Sequence, residues 1–166
     1  MTMSLNGRAQ LAAEHRGGVP IWLLTFQHPQ LAEPIRLSSN PTTRLSIDPY
    51  ILGTISRANP YLWVPMDLTL PADDEEAPPQ IRITIEAVDR TIFQVIRASR
   101  EPATCTIELV WSFSPGIVEL TLDHMEVVSA PYDETQVTVN LSQESFWGET
   151  WPTGRFSPTY FPGLHR

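Results

Sequence analysis

The sequence predicts a mostly β protein, either an antiparallel sandwich or a split barrel, with one packed helix and a possible short N-terminal helix. Sixteen prolines among 166 residues interrupt the chain about every ten residues, which suits short strands joined by loops. Several segments also alternate apolar and polar residues, most clearly Ile81, Ile83 and Ile85, and this period of two is typical of half-buried strands. A chain of this length can bury roughly 70% of its unfolded surface around a single core.

The first predicted strand covers residues 20–26, where an unbroken apolar run predicts burial on both faces. Residues 35–37 and 44–47 flank the turn-rich residues 38–41, so we expect them to pair as a hairpin. Residues 48–60 have no clear pattern. Counting the remaining strands, we expect seven or eight in all, with the others at residues 61–70 (interrupted at Pro65), 81–88, 104–113, 118–128 and 136–141.

Two strands form the clearest predicted hairpin, residues 104–113 and 118–128. Ser114, Pro115 and Gly116 lie between them and predict a tight turn. Cys105 falls inside the first of these strands and is interpreted as a small core residue rather than a nucleophile.

Helices are expected at two places only. Residues 4–15 have a weakly apolar face and end before Gly17 and Gly18. Asp89 can cap a helix that runs to about residue 99, since Ile92, Val95 and Ile96 have the spacing of one buried helix face.

Composition argues against several classes of function. The net charge is −8 and all eleven basic residues are arginine, a balance that argues against a nucleic-acid-binding surface. One cysteine cannot build a disulfide framework. No apolar run approaches the roughly 20 residues of a membrane span, and the N-terminus lacks the apolar stretch of a signal peptide. We therefore expect a soluble protein made in the cytosol, with no cofactor.

The C-terminal residues 146–166 differ from the rest of the chain. They hold six aromatic residues and three prolines, too many prolines for a helix or a central strand. So many large rings are not expected to stay in water, so this arm should pack on its own domain or on a neighbouring subunit. The predicted organisation is an N-terminal segment (1–18), a β-rich domain (19–145) and an irregular arm (146–166).

The residues that could carry chemistry do not converge in the sequence. The acidic run from Asp73 to Glu76 lies between prolines and lacks the spacing that wraps a calcium ion, so a solvated loop is favoured. The four histidines are scattered, and we expect His124 at the surface. Trp111 and Trp147 are the first candidates for a sugar-stacking platform, the basis of an alternative function in carbohydrate binding. No nucleophile, base and oxyanion hole can be assembled, so an enzyme is not expected.

Four segments carry a resemblance to a known family. His28, Pro29 and Leu31, then residues 34–37, 83–90 and 155–164, resemble a bacteriophage minor tail protein family in order and motif. The closing RFSPTYFPGL is the most specific part, and the resemblance runs from about Val19 through most of the chain. More distantly, the pattern is similar to the N-terminal domain of lambda-type minor tail protein L, whose cysteine-rich extension has no counterpart here.

This resemblance implies a virion structural protein of the tail tip or baseplate of a long-tailed phage. The implied partners are further copies of the chain, as a trimer or alternatively a hexamer, and other tail proteins: the distal tail or tube ring, the hub and central fibre, and the tape measure. The arm then supplies the expected subunit interface, through Trp151, Arg155, Phe156, Tyr160 and Phe161.

Overall fold

The prediction of a mostly β protein is confirmed. A computed structural model describes residues 3–12, 17–70, 80–86, 102–131, 133 and 136–143, and 64% of this part of the chain is strand. One helix, α1 (Leu5–Ala12), precedes the strands. The ten strands are β1 (Pro20–Gln27), β2 (Ile35–Ser38), β3 (Thr43–Ser46), β4 (Ile51–Ser56), β5 (Asn59–Trp63), β6 (Met66–Thr69), β7 (Gln80–Glu86), β8 (Thr104–Trp111), β9 (Ser114–Ser129) and β10 (Gln136–Gln143).

All ten strands belong to one mixed sheet that does not close into a barrel. Their order across the sheet is β3-β4-β5-β2-β1-β8-β9-β10-β7-β6. Neighbours are antiparallel except β2 and β5, which run parallel with Leu37 opposite Leu62. The sheet is thus mostly antiparallel, as expected, and has more strands than the seven or eight predicted.

A two-residue link between β5 and β6 forces this sheet to curl. The two strands stand seven places apart, about 34 Å across a flat sheet at the usual spacing of about 4.8 Å. Only Val64 and Pro65 join them, and three Cα steps reach at most about 11 Å. Val64 N donates to Ser38 O (3.0 Å) and Glu86 N to Pro65 O (2.9 Å), so this crossing is tied to the ends of both β2 and β7.

The main core lies inside the curl. Side chains of β1 and β8 belong to one buried cluster with those of β7 and β10, and Val64 of the crossing lies in it too. Fully buried members include Leu24, Phe26, Ile83, Ile85, Ile107, Val139 and Leu141. The alternation predicted for residues 81–86 and 136–141 is confirmed, because every second residue there enters this core.

A second, smaller core forms on the other face of β1 and β8. It contains Ile21, Leu23, Tyr61 and Val110, with Val118 packed against them. Strand β1 therefore contributes apolar residues to both faces, as its unbroken apolar run predicts.

The hairpin predicted between residues 35–37 and 44–47 is wrong. Strand β2 pairs with β1 and β5, whereas β3 pairs with β4. Of the predicted turn residues 38–41, Ser38 ends β2 and the other three belong to its connection to β3, a strand that is not its neighbour in the sheet. Buried Ser38 and Thr54 help to hold it, since both hydroxyls donate to Asn40 O (2.7 and 2.8 Å).

The hairpin of β8 and β9 is confirmed, but its turn is not at residues 114–116. Trp111 pairs with Ser114, so Ser112 and Phe113 form the turn. Pro115 and Gly116 lie in β9, where the register with β8 shifts between Val110 and Trp111. Proline has no N–H to donate to the ladder, and a bulge accommodates it.

Only one of the two predicted helices falls within the described part of the chain. An N-terminal helix is present, running over Leu5–Ala12. Residues 87–101, which include the predicted packed helix, lie outside the described part of the chain, as do the acidic run 71–79 and the whole C-terminal arm. Within the described residues, no helix is long and apolar enough to cross a membrane.

Two isoleucine substitutions test how much burial in the main core contributes to the free energy of unfolding. Ile83→Ala removes a fully buried side chain and should lower the free energy of unfolding by about 2–5 kcal/mol. Ile55→Ala truncates a side chain that is 47% exposed and should cost less than about 1 kcal/mol. Urea denaturation of both variants checks this. Equal losses would show that the curled sheet does not enclose the core described here.

Candidate functional site

The residues predicted to form the subunit interface belong to the C-terminal arm. Trp151, Arg155, Phe156, Tyr160 and Phe161 all lie outside the described residues, and so does the acidic run from Asp73 to Glu76. The structure does show, however, where the described part of the chain leaves large apolar side chains in water.

Exposed apolar side chains collect at one end of the sheet. The register brings together the beginning of β1, the ends of β2, β5 and β8, and the tip of the β3–β4 hairpin. Side chains between 37% and 73% exposed lie there, and we call them the apolar end: Val19, Ile47, Tyr50, Trp63, Phe113 and Ile117. Single exposed apolar residues are ordinary, whereas a group of six at one end makes that end a candidate interaction surface.

The β8–β9 turn holds Phe113 in place at this end. Its ring stacks on Trp111, with centroids 6.1 Å apart and planes 13° from parallel. Ser112 N donates to Val19 O and Val19 N donates to Ser112 Oγ, both at 3.0 Å. A Cβ on Gly18 would lie 2.5 Å from the Phe113 ring, so glycine is needed for this close approach. Half of the Phe113 side chain is nevertheless exposed.

Trp63 is fixed in a similar way. Its Nε1 donates to Ser39 O (3.1 Å), and Ser39 is bound in turn to the backbone of Trp22 through both its N and its Oγ, each at 3.0 Å. Its side chain nevertheless remains 37% exposed.

The tryptophan proposed for sugar stacking is not available at the surface. Trp111 has no exposed area, so its ring cannot stack on a saccharide. Its Nε1 has no hydrogen-bond partner, one of two such buried side-chain atoms in the described residues, the other being Ser56 Oγ. Trp147, the other candidate, lies outside the described part.

Helix α1 is held beside the same end of the sheet by a buried carboxylate. Glu119, on β9, accepts from Ser4 N (2.9 Å) and Ser4 Oγ (2.7 Å), and Ser4 Oγ accepts from Gly7 N (3.0 Å). A Cβ on Gly7 would lie 2.5 Å from the Glu119 carboxylate, so the helix approaches closely because this residue is glycine. The negative charge of Glu119 near the helix N-terminus also interacts favourably with the helix dipole.

A second buried carboxylate ties the β4–β5 hairpin to the centre of the sheet. Glu108 lies on β8 between β1 and β9, is 8% exposed, and pairs with Arg57 at the hairpin turn. The pKa of the Arg57 guanidinium is raised, chiefly by its hydrogen bond to Glu108. Tyr61 and Thr25 lie alongside with their hydroxyl oxygens 3.4 Å apart. These polar groups lie at the edge of the second core, beside Tyr61.

The turn that carries Arg57 could not be recognised from the sequence. Arg57 and Ala58 both have positive φ (48° and 66°), as a two-residue hairpin turn of this hand requires. Asparagine and glycine are the usual residues there, since a Cβ is disfavoured in this conformation. Their absence is why residues 48–60 have no readable pattern, although they contain β4 and this turn.

Residues 28–31, with the sequence HPQL, form the loop after β1. His28 is buried, and its Nδ1 accepts from Gln30 N (3.1 Å) while its carbonyl accepts from Leu31 N (2.9 Å). An open pocket of about 250 Å³ adjoins the loop, lined by Gln27, His28, Leu31 and Pro34. The motif that carries part of the family resemblance thus shapes a turn.

Other titratable groups follow the expectations drawn from sequence. Cys105 is buried, and burial raises the pKa of its thiol, so it is a core residue as expected rather than a nucleophile. His124 is exposed, on a β9 bulge where its φ is 58°. Among the described residues, no group of three or more His, Cys, Asp or Glu could hold a metal ion.

Fold and surface together define a mostly β domain, an open curled sheet with an apolar end. The chain belongs to the family whose model is described as a domain of unknown function, DUF1833, which matches residues 6–156. This range covers the whole described sheet and includes three of the predicted interface residues: Trp151, Arg155 and Phe156. No curated protein matches the chain.

Removing the exposed cation that pairs with the buried Glu108 carboxylate should destabilise the fold. Arg57→Ala leaves Glu108 without its partner, and we expect a loss of about 1–3 kcal/mol in the free energy of unfolding, measured with urea near pH 7. The raised pKa of Arg57 means that its contribution is complete below the unfolded-state value and is lost only as the pH rises past the folded-state value. That window lies far above neutral pH.

Two controls make this test specific. Arg57→Ala with Glu108→Gln should be less destabilised than the sum of the two single variants, because a neutral amide is easier to bury than an unpaired carboxylate. Arg44→Ala, on an exposed edge strand, should change little. Additive losses in the double variant would contradict coupling between the two side chains.

Proposed function

We propose that this protein is a structural, non-enzymatic component of the tail tip of a long-tailed phage or prophage. It acts by self-association and by docking other tail proteins, and it resides in the virion tail. The observation that carries the proposal is the apolar end, a solvent-facing group of large side chains at one end of the sheet. The resemblance of residues 28–37, 83–90 and 155–164 to phage minor tail proteins supplies the biological setting.

A ring or hub subunit needs long-lived contacts with its neighbours, and exposed aromatic side chains are enriched in such contacts. The apolar end offers Tyr50, Trp63 and Phe113 on one side of the interface. The C-terminal arm offers Trp151, Arg155, Phe156, Tyr160 and Phe161 on the other. Its prolines restrict the free arm, which lowers the entropy lost when it docks.

The assembly is proposed to be a trimer, with a hexamer as the alternative. Its docking partners are the distal tail or tube ring, the hub and central fibre, and the tape measure. A net charge of −8 suits a protein placed around a channel for DNA, since like charge keeps the passing nucleic acid from adhering.

The alternative function is a carbohydrate-binding module that attaches to the host surface. Full burial of Trp111 removes one of its two proposed stacking residues. A glycan-binding screen with the purified protein separates the two functions, because binding to a host polysaccharide would favour the alternative.

Deleting residues 151–166 should abolish self-association. The expected product is a monomer that keeps its β-rich circular dichroism spectrum, while the full chain forms the oligomer, both measured by light scattering after size exclusion. A truncated chain that unfolds or aggregates would instead place the arm in the core of its own domain.

Substitutions at the apolar end test the other side of the interface. Ile47→Ser with Tyr50→Ser should lower the oligomer mass, since these are the two most exposed side chains of the apolar end (73% and 67%). Val128→Ser is the matched control, because Val128 is 65% exposed but lies near the far end of β9. An unchanged mass in the double variant would exclude the apolar end from the interface.

A further inference from the structure

The sheet face that carries the main core continues past β2 onto β5, β4 and β3. Leu37 on β2 belongs to the main core and is 1% exposed. Its register partner on β5 is Leu62, which in turn lies opposite Gly53 on β4. Thr43 on β3 lies opposite Gly53. Residues directly opposite each other share one face of a sheet, so all four positions lie on the face of the main core.

Beyond β2 this face is still apolar but open to solvent. Leu62 is 40% exposed, and Ile55, two residues after Gly53 on the same face, is 47% exposed. Pro60, opposite Ile55, is exposed, while Leu45 is half-buried with its side chain beside Gly53. We call Leu45, Ile55, Pro60 and Leu62 the apolar ledge. Side chains of β10, β7 and β6 pack over β8, β1 and β2 in the main core, and none of these described strands covers the ledge.

The apolar ledge is uncharged, although the chain has a net charge of −8. The two charged side chains of the same three-stranded region are directed elsewhere: Arg44 lies opposite Leu52 on the other face, and Arg57 pairs with Glu108. Two copies of a strongly acidic chain repel each other, and the repulsion is least where the apposed surfaces carry no charge. The charge distribution therefore favours this surface for contact between copies.

The size of the ledge indicates that it is part of a larger interface. Three strands about 4.8 Å apart and four or five residues long present roughly 200 Å², far less than the roughly 800 Å² that each partner buries in a typical stable complex. The ledge is continuous with the apolar end, because Leu62 precedes Trp63 and Leu45 lies two residues before Ile47. One neighbouring copy can therefore cover both surfaces.

We propose that the apolar ledge packs against a second copy of this chain, as a continuation of the apolar end. The inference rests on the proposed self-association and adds a second surface to it. Sheets that pack face to face lie about 10 Å apart, with interdigitating side chains between them. In this contact the second copy covers Ile55 and Leu62, and the apolar layer of the main core continues past β6.

Serine substitutions on the ledge test this contact. Ile55→Ser with Leu62→Ser should raise the dissociation constant of the oligomer about tenfold or more, because both side chains lose apolar burial in the interface. Both are partly exposed within one chain, so the variant should keep its β-rich circular dichroism spectrum. Val128→Ser, 65% exposed and near the far end of β9, is the control and should leave the constant unchanged. Light scattering over a concentration series measures all three proteins.

The results separate this inference from the proposed function. If the ledge variant associates like the wild type while Ile47→Ser with Tyr50→Ser lowers the oligomer mass, the ledge lies outside the interface and only this inference fails. A wild-type chain that stays monomeric at every concentration overturns both.

Thiol labelling of the full chain gives a second measurement that does not depend on weakening the contact. Cys105 is buried and does not compete for the reagent. Ile55→Cys should react rapidly in the monomer, obtained by dilution or through the Ile47→Ser and Tyr50→Ser substitutions, and slowly in the oligomer. Val128→Cys should react equally in both states. Rapid labelling of Ile55→Cys in the oligomer would show an uncovered ledge, and slow labelling in the monomer would show that the chain covers its own ledge. Either result overturns the proposal.

Discussion

The link of Val64 and Pro65 between β5 and β6 sets the shape of the molecule. Two strands on opposite sides of a wide sheet cannot be joined by two residues unless the sheet curls until they meet. The curl encloses the main core and leaves β1 and β8 with apolar residues on both faces. The second core and the Arg57–Glu108 pair occupy the face that the curl leaves outside.

How much could be predicted depended on whether the signal was local. The alternation in β7 and β10 and the unbroken apolar run of β1 are local, and they identified strands and buried faces correctly. The partner of β2 is not local, since its parallel neighbour β5 is separated from it by a complete hairpin. The β4–β5 turn was missed because an ion pair with Glu108, far along the chain, helps to hold Arg57 where glycine would be usual.

The candidate surface was only partly foreseeable. Aromatic and proline content singled out the C-terminal arm, but the apolar end is assembled from residues scattered over almost one hundred positions, and only strand register brings them together. Trp63 and Trp111 show that an apolar run in the sequence does not determine whether a side chain is buried. Both lie in apolar runs and near strand ends, yet Trp63 is partly exposed and Trp111 is fully buried.

The location of the apolar end also bears on how large an assembly can grow. A subunit with adhesive surfaces at two opposite ends adds further subunits without limit and forms filaments. Here the exposed aromatic residues of the described sheet, Tyr50, Trp63 and Phe113, lie at one end. In the self-association proposed above, copies that meet around an axis through that end would use up this surface, and growth would stop at a closed, finite particle of fixed copy number.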